Sequence, residues 1–432
     1  MALMVILWLA ATAYNLDKPH HIDDTSYLET AKWISQHPLS PMSGLVNWRD
    51  DPEPIHFMNQ PPLYSYLLAL QMSLFGESET STHLLQSLFV LICIYGFYSL
   101  AELKAKKSAG LLTCFFILGP AFFVGQNLMV DVPLVSLWIC FYYALLTPAI
   151  SSDFRRYLLA GIIASAALLV KYYSLTLIPA LFLAIFLKRR YRLLFLGFIP
   201  ILTLLLWSIF NYIDYGGINI LGRPRNPLSS AILFENTIAW TLCLGAITPF
   251  SIWFAGRWIE SLSPKLRMPA RIGILLIFAL SVCLPIAFAL NIVTEGQANA
   301  VLFILFIVNG TWPLVMALSH LGKHATDLKS FRDEDILLFY WLFSGAAFII
   351  FLAPFQATRH ILPIMPPLLL ILANTFQTQV SRTYAVLSLL LTLSLSLLLG
   401  VSDWQCADVY RQSARALAED KVFRTLGLDV VC

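Results

Sequence analysis

Two adjacent carboxylates, Asp23 and Asp24, stand in the longest polar stretch of the chain, residues 17–64, together with His20, His21 and His56. A third, Asp131, lies in a short polar island, QNLMVD, between two apolar runs. Carboxylates of this kind can take the proton of an attacking hydroxyl group. Cations that could receive a negatively charged leaving group are Lys171, Arg359, and Arg223 with Arg225 in GRPRNP. Lys acts there as a point charge, whereas Arg makes paired hydrogen bonds.

Each of these residues also has a plainer reading. Asp23 or Asp24, followed by Thr25, Ser26 and Glu29, would cap a helix over YLETAKWI. Asp131 would cap a helix in which Pro133 sits in the first turn. Lys171 and Arg359 would snorkel to a membrane interface, and Arg223 and Arg225 would sit in a solvated loop. His20, His21 and His56 with the neighbouring acids leave a divalent metal ion open as cofactor, His56 and Asp24 being its ligands. Scattered histidines in a loop are more often only polar. Tyr27, Gln60, Tyr64 and His360 are the expected lining residues, and interface belts explain the aromatic ones equally well.

Only 12% of the 432 residues are charged and 58% are hydrophobic, with a mean hydropathy of +0.74. Soluble domains carry about 25% charged residues, so the chain is a polytopic membrane protein, and no nucleic-acid signature stands out. Apolar runs recur near 1–14, 84–101, 109–125, 133–148, 157–170, 173–187, 193–212, 230–255, 272–292, 300–318, 336–352, 361–376 and 384–401. Backbone groups in lipid must be satisfied within their own segment, which predicts an all-α fold with about 13 transmembrane helices. If each run crosses once, most of the 28 basic residues fall on one side. By the positive-inside rule that side is cytoplasmic.

The first loop, residues 15–83, is then extracytoplasmic and carries short surface helices. Asp131 and Lys171 occupy outer tips of two helical hairpins. PPLYSYLLALQMSLFG (61–76) is expected to lie along the outer face, because a crossing there would send Lys104, Lys106 and Lys107 outward. The domain boundaries read as 1–402 for the membrane domain and 403–432 for a short outer tail forming its own helix.

HIDDTSYLETAKWI, NQPPLYSYLLAL, QNLMVDVPLVSLW, KYYSLTLIPAL and RHILPIMPPLLLILA, in that order, resemble the GT-C superfamily of membrane glycosyltransferases. The resemblance is to its protein O-mannosyltransferases and lipopolysaccharide aminoarabinose transferases, strongest over residues 17–190. It implies an enzyme of the cytoplasmic (inner) membrane, with its active site extracytoplasmic. The reaction implied is an inverting transfer of a sugar from a polyprenyl-phosphate donor to a glycan, lipid or protein acceptor. It also implies Asp23, Asp24 and Asp131 as catalytic, and Lys171 and Arg359 as partners of the donor phosphate, with Arg223 and Arg225 as substitutes. Gln60 stands where the family's Lys-Pro-Pro-Leu-Tyr has its lysine, which removes one cation. The alternative is a polytopic transporter or lipid flippase, which would set its ionisable residues at the midplane of broken helices. The acids cluster on the outer loops and no two related halves are visible, which favours the enzyme.

Overall fold

A computed structural model describes residues 2–47, 51–57, 60–223, 229–249, 259, 263–289, 292–325, 332–375 and 382–419. Arg225, assigned above to the donor phosphate, lies outside them. The polar first loop folds into α2 (Asp24–Gln36) and α3 (Leu63–Phe75) after α1 (Ala2–Thr12), with a two-residue antiparallel pairing of Leu45–Val46 and Glu53–Pro54 between them. There follow α4 (Glu79–Ala105), α5 (Ala109–Ile117), α6 (Pro120–Val124), α7 (Asp131–Leu146), α8 (Asp153–Val170), α9 (Leu177–Leu187) and α10 (Ile199–Tyr215). The remaining helices are α11 (Ser230–Ile247), α12 (Pro264–Ala289), α13 (Glu295–Ala325), α14 (Asp333–Leu352), α15 (Met365–Thr375) and α16 (Arg382–Glu419).

The all-α polytopic class is the one observed. Among the described residues six stretches are long and apolar enough to cross a membrane: Glu79–Ile117, Tyr191–Tyr215, Ser230–Ile247, Glu295–Gly322, Asp333–Leu352 and Thr383–Leu417. Others expected to cross, including α1, α7 and the Tyr172–Leu187 stretch, are shorter apolar helices. The expected count of thirteen is therefore not reached on length and composition alone. A helix of 13 residues spans about 20 Å, short of a hydrocarbon core of about 30 Å. α3 packs against α2 and leaves Leu70, Leu74 and Phe75 exposed.

The last apolar run and the described part of the tail form a single helix, α16, of 38 residues that runs on through residues 402 and 403. Nothing in SDWQCADVYRQSARALAE breaks a helix, and its polar side chains turn inward to pair with the first loop, as described below.

The chain divides into two units. The first comprises residues 1–96, 123–224 and 398–432; the second comprises 97–122 and 225–397. The first is built around α7, which is buried along almost its entire length, including Asp131 itself. A helix apolar on every face belongs in the middle of such a bundle. Trp138 of α7 donates to Ser174 Oγ at 3.0 Å, fixing the turn that follows Lys171. At the opposite end of this unit Arg190 pairs with Asp153 at 2.6 Å.

In the second unit α11 and α13 pack backbone to backbone. A Cβ on Gly245 would fall 1.8 Å from Phe306 O, and one on Gly310 2.1 Å from Thr241 O. Asn309 seals the contact by donating to Gly245 O at 2.6 Å and Thr248 O at 3.1 Å. Lys104 is buried there against Glu334, with Asp335 at 3.8 Å. Arg190–Asp153 and Lys104–Glu334 each join chain ends that the charge pattern puts on one side of the membrane.

Candidate active site

Asp24 opens α2 and is wholly buried. Its Oδ2 accepts from the His21 backbone N–H at 3.1 Å. Its Oδ1 accepts from the Leu128 N–H at 2.8 Å, far along the chain. The polar island before α7 thus has a structural reason. Gln126 Nε2 donates to Ala11 O at 2.9 Å, Asn127 accepts from Lys18 Nζ, and Leu128 binds Asp24. All three contacts dock the segment that ends at Asp131.

Four charged groups close this region. His21 lies between two carboxylates, Nδ1 3.4 Å from Asp24 Oδ2 and Nε2 3.4 Å from Asp403 Oδ1 of α16. Lys18, also buried, pairs with Asp403. Burial by itself would strip the His21 proton, but the Asp24 and Asp403 carboxylates outweigh it and raise the pKa to about 9. Two cations therefore face two anions, the arrangement that makes buried charge tolerable. Arg411, a little further along α16, donates to Glu79 Oε2 at 2.7 Å and to the Asp17 carbonyl. Sequence reasoning missed Lys18, His21 and Asp403 as a group. The signal available was a charged residue, Asp403, directly after an apolar run and still on the helical face that packs inward.

Asp23 takes the N-cap position of α2 without a side-chain cap bond and is half-buried. Asp131 is the first residue of α7, and Val130 stands at the cap position. The Asp131 carboxylate instead accepts from Lys171 Nζ at 2.7 Å, with side-chain exposures of only 4% and 11%. Lys171 ends α8 in extended conformation, φ −157°, so the helix stops where the ammonium must turn back to α7. Both hairpin tips expected from the sequence are thereby joined.

The other expected site residues have separate places. Tyr64 is fully buried, its hydroxyl donating to Gln86 Oε1 at 2.9 Å, and Tyr27 meets its ring edge-on at 5.7 Å. Tyr64 is thus enclosed by Gln86 and Tyr27. Gln60 has a buried Oε1 with no hydrogen-bond partner. His56 stacks on Tyr215 at 4.3 Å and Asn219 donates to its carbonyl at 3.0 Å. The Arg223 guanidinium sits 5.4 Å over the ring of Tyr172, next in sequence to Lys171. Arg359 and His360 belong to the second unit, on a 3-10 turn Thr358–Ile364, with His360 packed 5.0 Å from Phe355.

Asp24 and His56, the ligands expected for a divalent ion, are each engaged by other groups. The first is bonded to Leu128 and His21, and the second is stacked on Tyr215. His20, buried against Thr82 Oγ1 at 2.9 Å, has its proton affinity lowered by that burial. Among the described residues no three His, Cys, Asp or Glu side chains gather to hold a metal.

Residues 59–211 match the model of the dolichyl-phosphate-mannose-protein mannosyltransferase family. They include α7, α8, Asp131 and Lys171. No curated protein matches the chain in sequence. Among solved structures, the chain is similar to the oligosaccharyltransferase of Archaeoglobus fulgidus tethered with an acceptor peptide. The TM-score is 0.55 at 14% identity, over 97% of this chain and 57% of that one. The archaeal oligosaccharyltransferase AglB of the same organism, in complex with an inhibitory peptide and a dolichol-phosphate, gives 0.52 at 13% identity, over 93% and 55%. The chain thus spans little more than half the length of these enzymes. ArnT from Cupriavidus metallidurans bound to undecaprenyl phosphate gives 0.47 at 16% identity, over 96% and 77%. The family match thus covers residues 59–211, about a third of the chain, and the chain shares its fold with the archaeal oligosaccharyltransferases.

Proposed function

We propose that this protein transfers a sugar from a polyprenyl-phosphate donor to a hydroxyl-bearing acceptor at the extracytoplasmic face of the membrane, with inversion. The observation that carries this reading is the Asp131–Lys171 pair: an ammonium held at 2.7 Å by a carboxylate, almost dry, at the ends of two helices. A preset cation in such surroundings stabilises charge far better than one in water, and needs little reorganisation when the charge appears. The acceptor oxygen attacks C1 of the sugar, and the bond from C1 to the phosphate oxygen breaks. The electron pair leaves with the phosphate, which gains a negative charge facing Lys171. The acceptor proton passes to Asp23. Asp24 serves as the positioning group, through Leu128, for the segment that ends at Asp131.

Arg223, beside Tyr172, is the second cation proposed from the same unit, and Arg359 keeps its assignment to the donor phosphate, to be tested by its own substitution. No step is routed through a metal ion. A transporter reading lacks support of this kind, because Asp24 and Asp131 each stand at the start of a helix, and Asp24 is bonded to the segment that leads into Asp131.

The test is turnover of purified protein in nanodiscs, supplied with polyprenyl-phosphate hexoses and pentoses and an envelope-lipid extract as acceptor. Sugar-dependent release of polyprenyl phosphate is expected, insensitive to a chelator. Unaltered donors together with sugar-lipid movement across the bilayer would replace this reading with the flippase one.

A further inference from the structure

One face of α10 carries Trp207, Asn211 and Tyr215 at four-residue steps, with Asp214 beside them. The two aromatic residues are occupied. Trp207 Nε1 donates to Tyr172 Oη at 2.9 Å, and the Tyr215 ring lies parallel to His56 at 4.3 Å. Asn211, between them, is 0% exposed, and among the described residues neither its amide oxygen nor its nitrogen has a hydrogen-bond partner. Asp214 is similar in part. Its Oδ2 accepts from the Met42 N–H at 2.8 Å, while its Oδ1 is buried and unpartnered. A buried polar group left unpaired costs roughly 1–3 kcal/mol, and native structures hold few. Two of them side by side on one helix face form a place where the fold gives up stability.

The segment covering this face runs through Met42, Val46 and Ile55, which pack with Tyr172 and Trp207. Polar contacts at this face are Met42 to Asp214, Asn219 to the His56 carbonyl and the His56–Tyr215 stack, while the Asn47 N–H donates to Glu29 of α2 at 2.6 Å. The face continues to Tyr172, which follows Lys171 in sequence.

We propose that Asn211 and Asp214 form the subsite for the sugar ring of the donor, reached when Met42, Val46 and Ile55 lift from α10. This deepens the glycosyltransferase reading and rests on it. An amide offers both a donor and an acceptor, and a carboxylate oxygen accepts, which together suit adjacent ring hydroxyls. Trp207 and Tyr215 offer flat faces to the C–H side of a sugar ring. A carboxylate at this point disfavours a phosphate, which the cation at Lys171 receives instead.

The experiment compares wild type with Asn211→Leu, a substitution of similar size, by thermal unfolding in nanodiscs. Each is measured alone, with sugar-free polyprenyl phosphate, and with polyprenyl-phosphate hexoses and pentoses. Asn211→Leu should unfold at higher temperature than wild type, because an orphan amide has been removed. The extra stabilisation given by the sugar-bearing lipid over the sugar-free one should be lost, and transfer should fall at least tenfold. Two results overturn the proposal. One is a sugar-dependent shift retained in Asn211→Leu. The other is a lower unfolding temperature, meaning that the amide is satisfied in the native protein. Failure of the glycosyltransferase reading looks different: wild type shows the sugar-dependent shift yet releases no polyprenyl phosphate.

Discussion

Asp24 and Leu128 stand 104 residues apart and are joined by a 2.8 Å hydrogen bond from the Leu128 N–H to the Asp24 carboxylate. Through it the first polar loop holds the segment from which α7, and with it Asp131, begins. On the proposed reading the two adjacent acids of the first loop divide their work: Asp24 accepts from the Leu128 and His21 N–H groups, and Asp23, half-buried at the start of α2, takes the acceptor proton.

That division predicts opposite results for neighbouring substitutions. Asp24→Ala leaves the Leu128 N–H without its acceptor and His21 with one carboxylate fewer, so its cost should approach the 3–5 kcal/mol of breaking a buried pair. Thermal unfolding should show a drop of several degrees, with transfer lost as well. Asp23→Ala should abolish transfer while unfolding within about a degree of wild type. Equal destabilisation by both would show that the acids are not divided in this way.

The same cluster sets a pH dependence. His21 has a folded pKa of about 9 against an ordinary value of 6.5. A raised pKa stabilises the fold fully below the unfolded value and loses that contribution as pH rises through the folded one. The groups facing His21 are Asp24, Asp403, Lys18 and His20, with the Tyr410 ring edge-on at 6.2 Å. Unfolding temperature should fall between about pH 6.5 and 9, and His21→Gln should lower it at neutral pH and flatten the alkaline decline. An alkaline decline unchanged in His21→Gln assigns it to other groups.

In the second unit the α11–α13 contact leaves no room for a methyl group at Gly245. Membrane helices that approach this closely depend on such small residues. Gly245→Ala should cost at least about 3 kcal/mol, the upper range for overpacking, read as lost folded protein in detergent. Gly273→Ala, where nothing lies within 4 Å of the added carbon, is the control and should be silent.

Sidedness is checked by reporter fusions after Gly76 and after Lys107. The first should report outside and the second inside, because α3 is too short to cross and the Lys104–Lys107 cluster stays in the cytoplasm. The reverse order would overturn the topology.

Much of this architecture was legible in the sequence. Charge parity alone located Asp131 and Lys171 at hairpin tips, and the structure joins them. The break at Lys171 was visible as a polar interruption of an apolar run. The role of QNL before Met129 was not legible, because its partners Ala11, Lys18 and Asp24 are distant in sequence. The continuity of α16 was missed for a related reason: a polar segment after an apolar run looks solvated until its partners are known. Tyr64 looked like a lining residue because tyrosine is amphipathic, and only its contact with Gln86 reveals a buried one.

Lys171→Met tests the transfer reading most directly. It removes the ammonium, keeps a side chain of similar length, and leaves the Asp131 carboxylate in place. Release of polyprenyl phosphate should fall about 100-fold, the scale of losing one preset charge-stabilising donor. Lys171→Arg should recover only part of that turnover. Wild-type turnover in Lys171→Met would contradict the assignment of the leaving phosphate to this site.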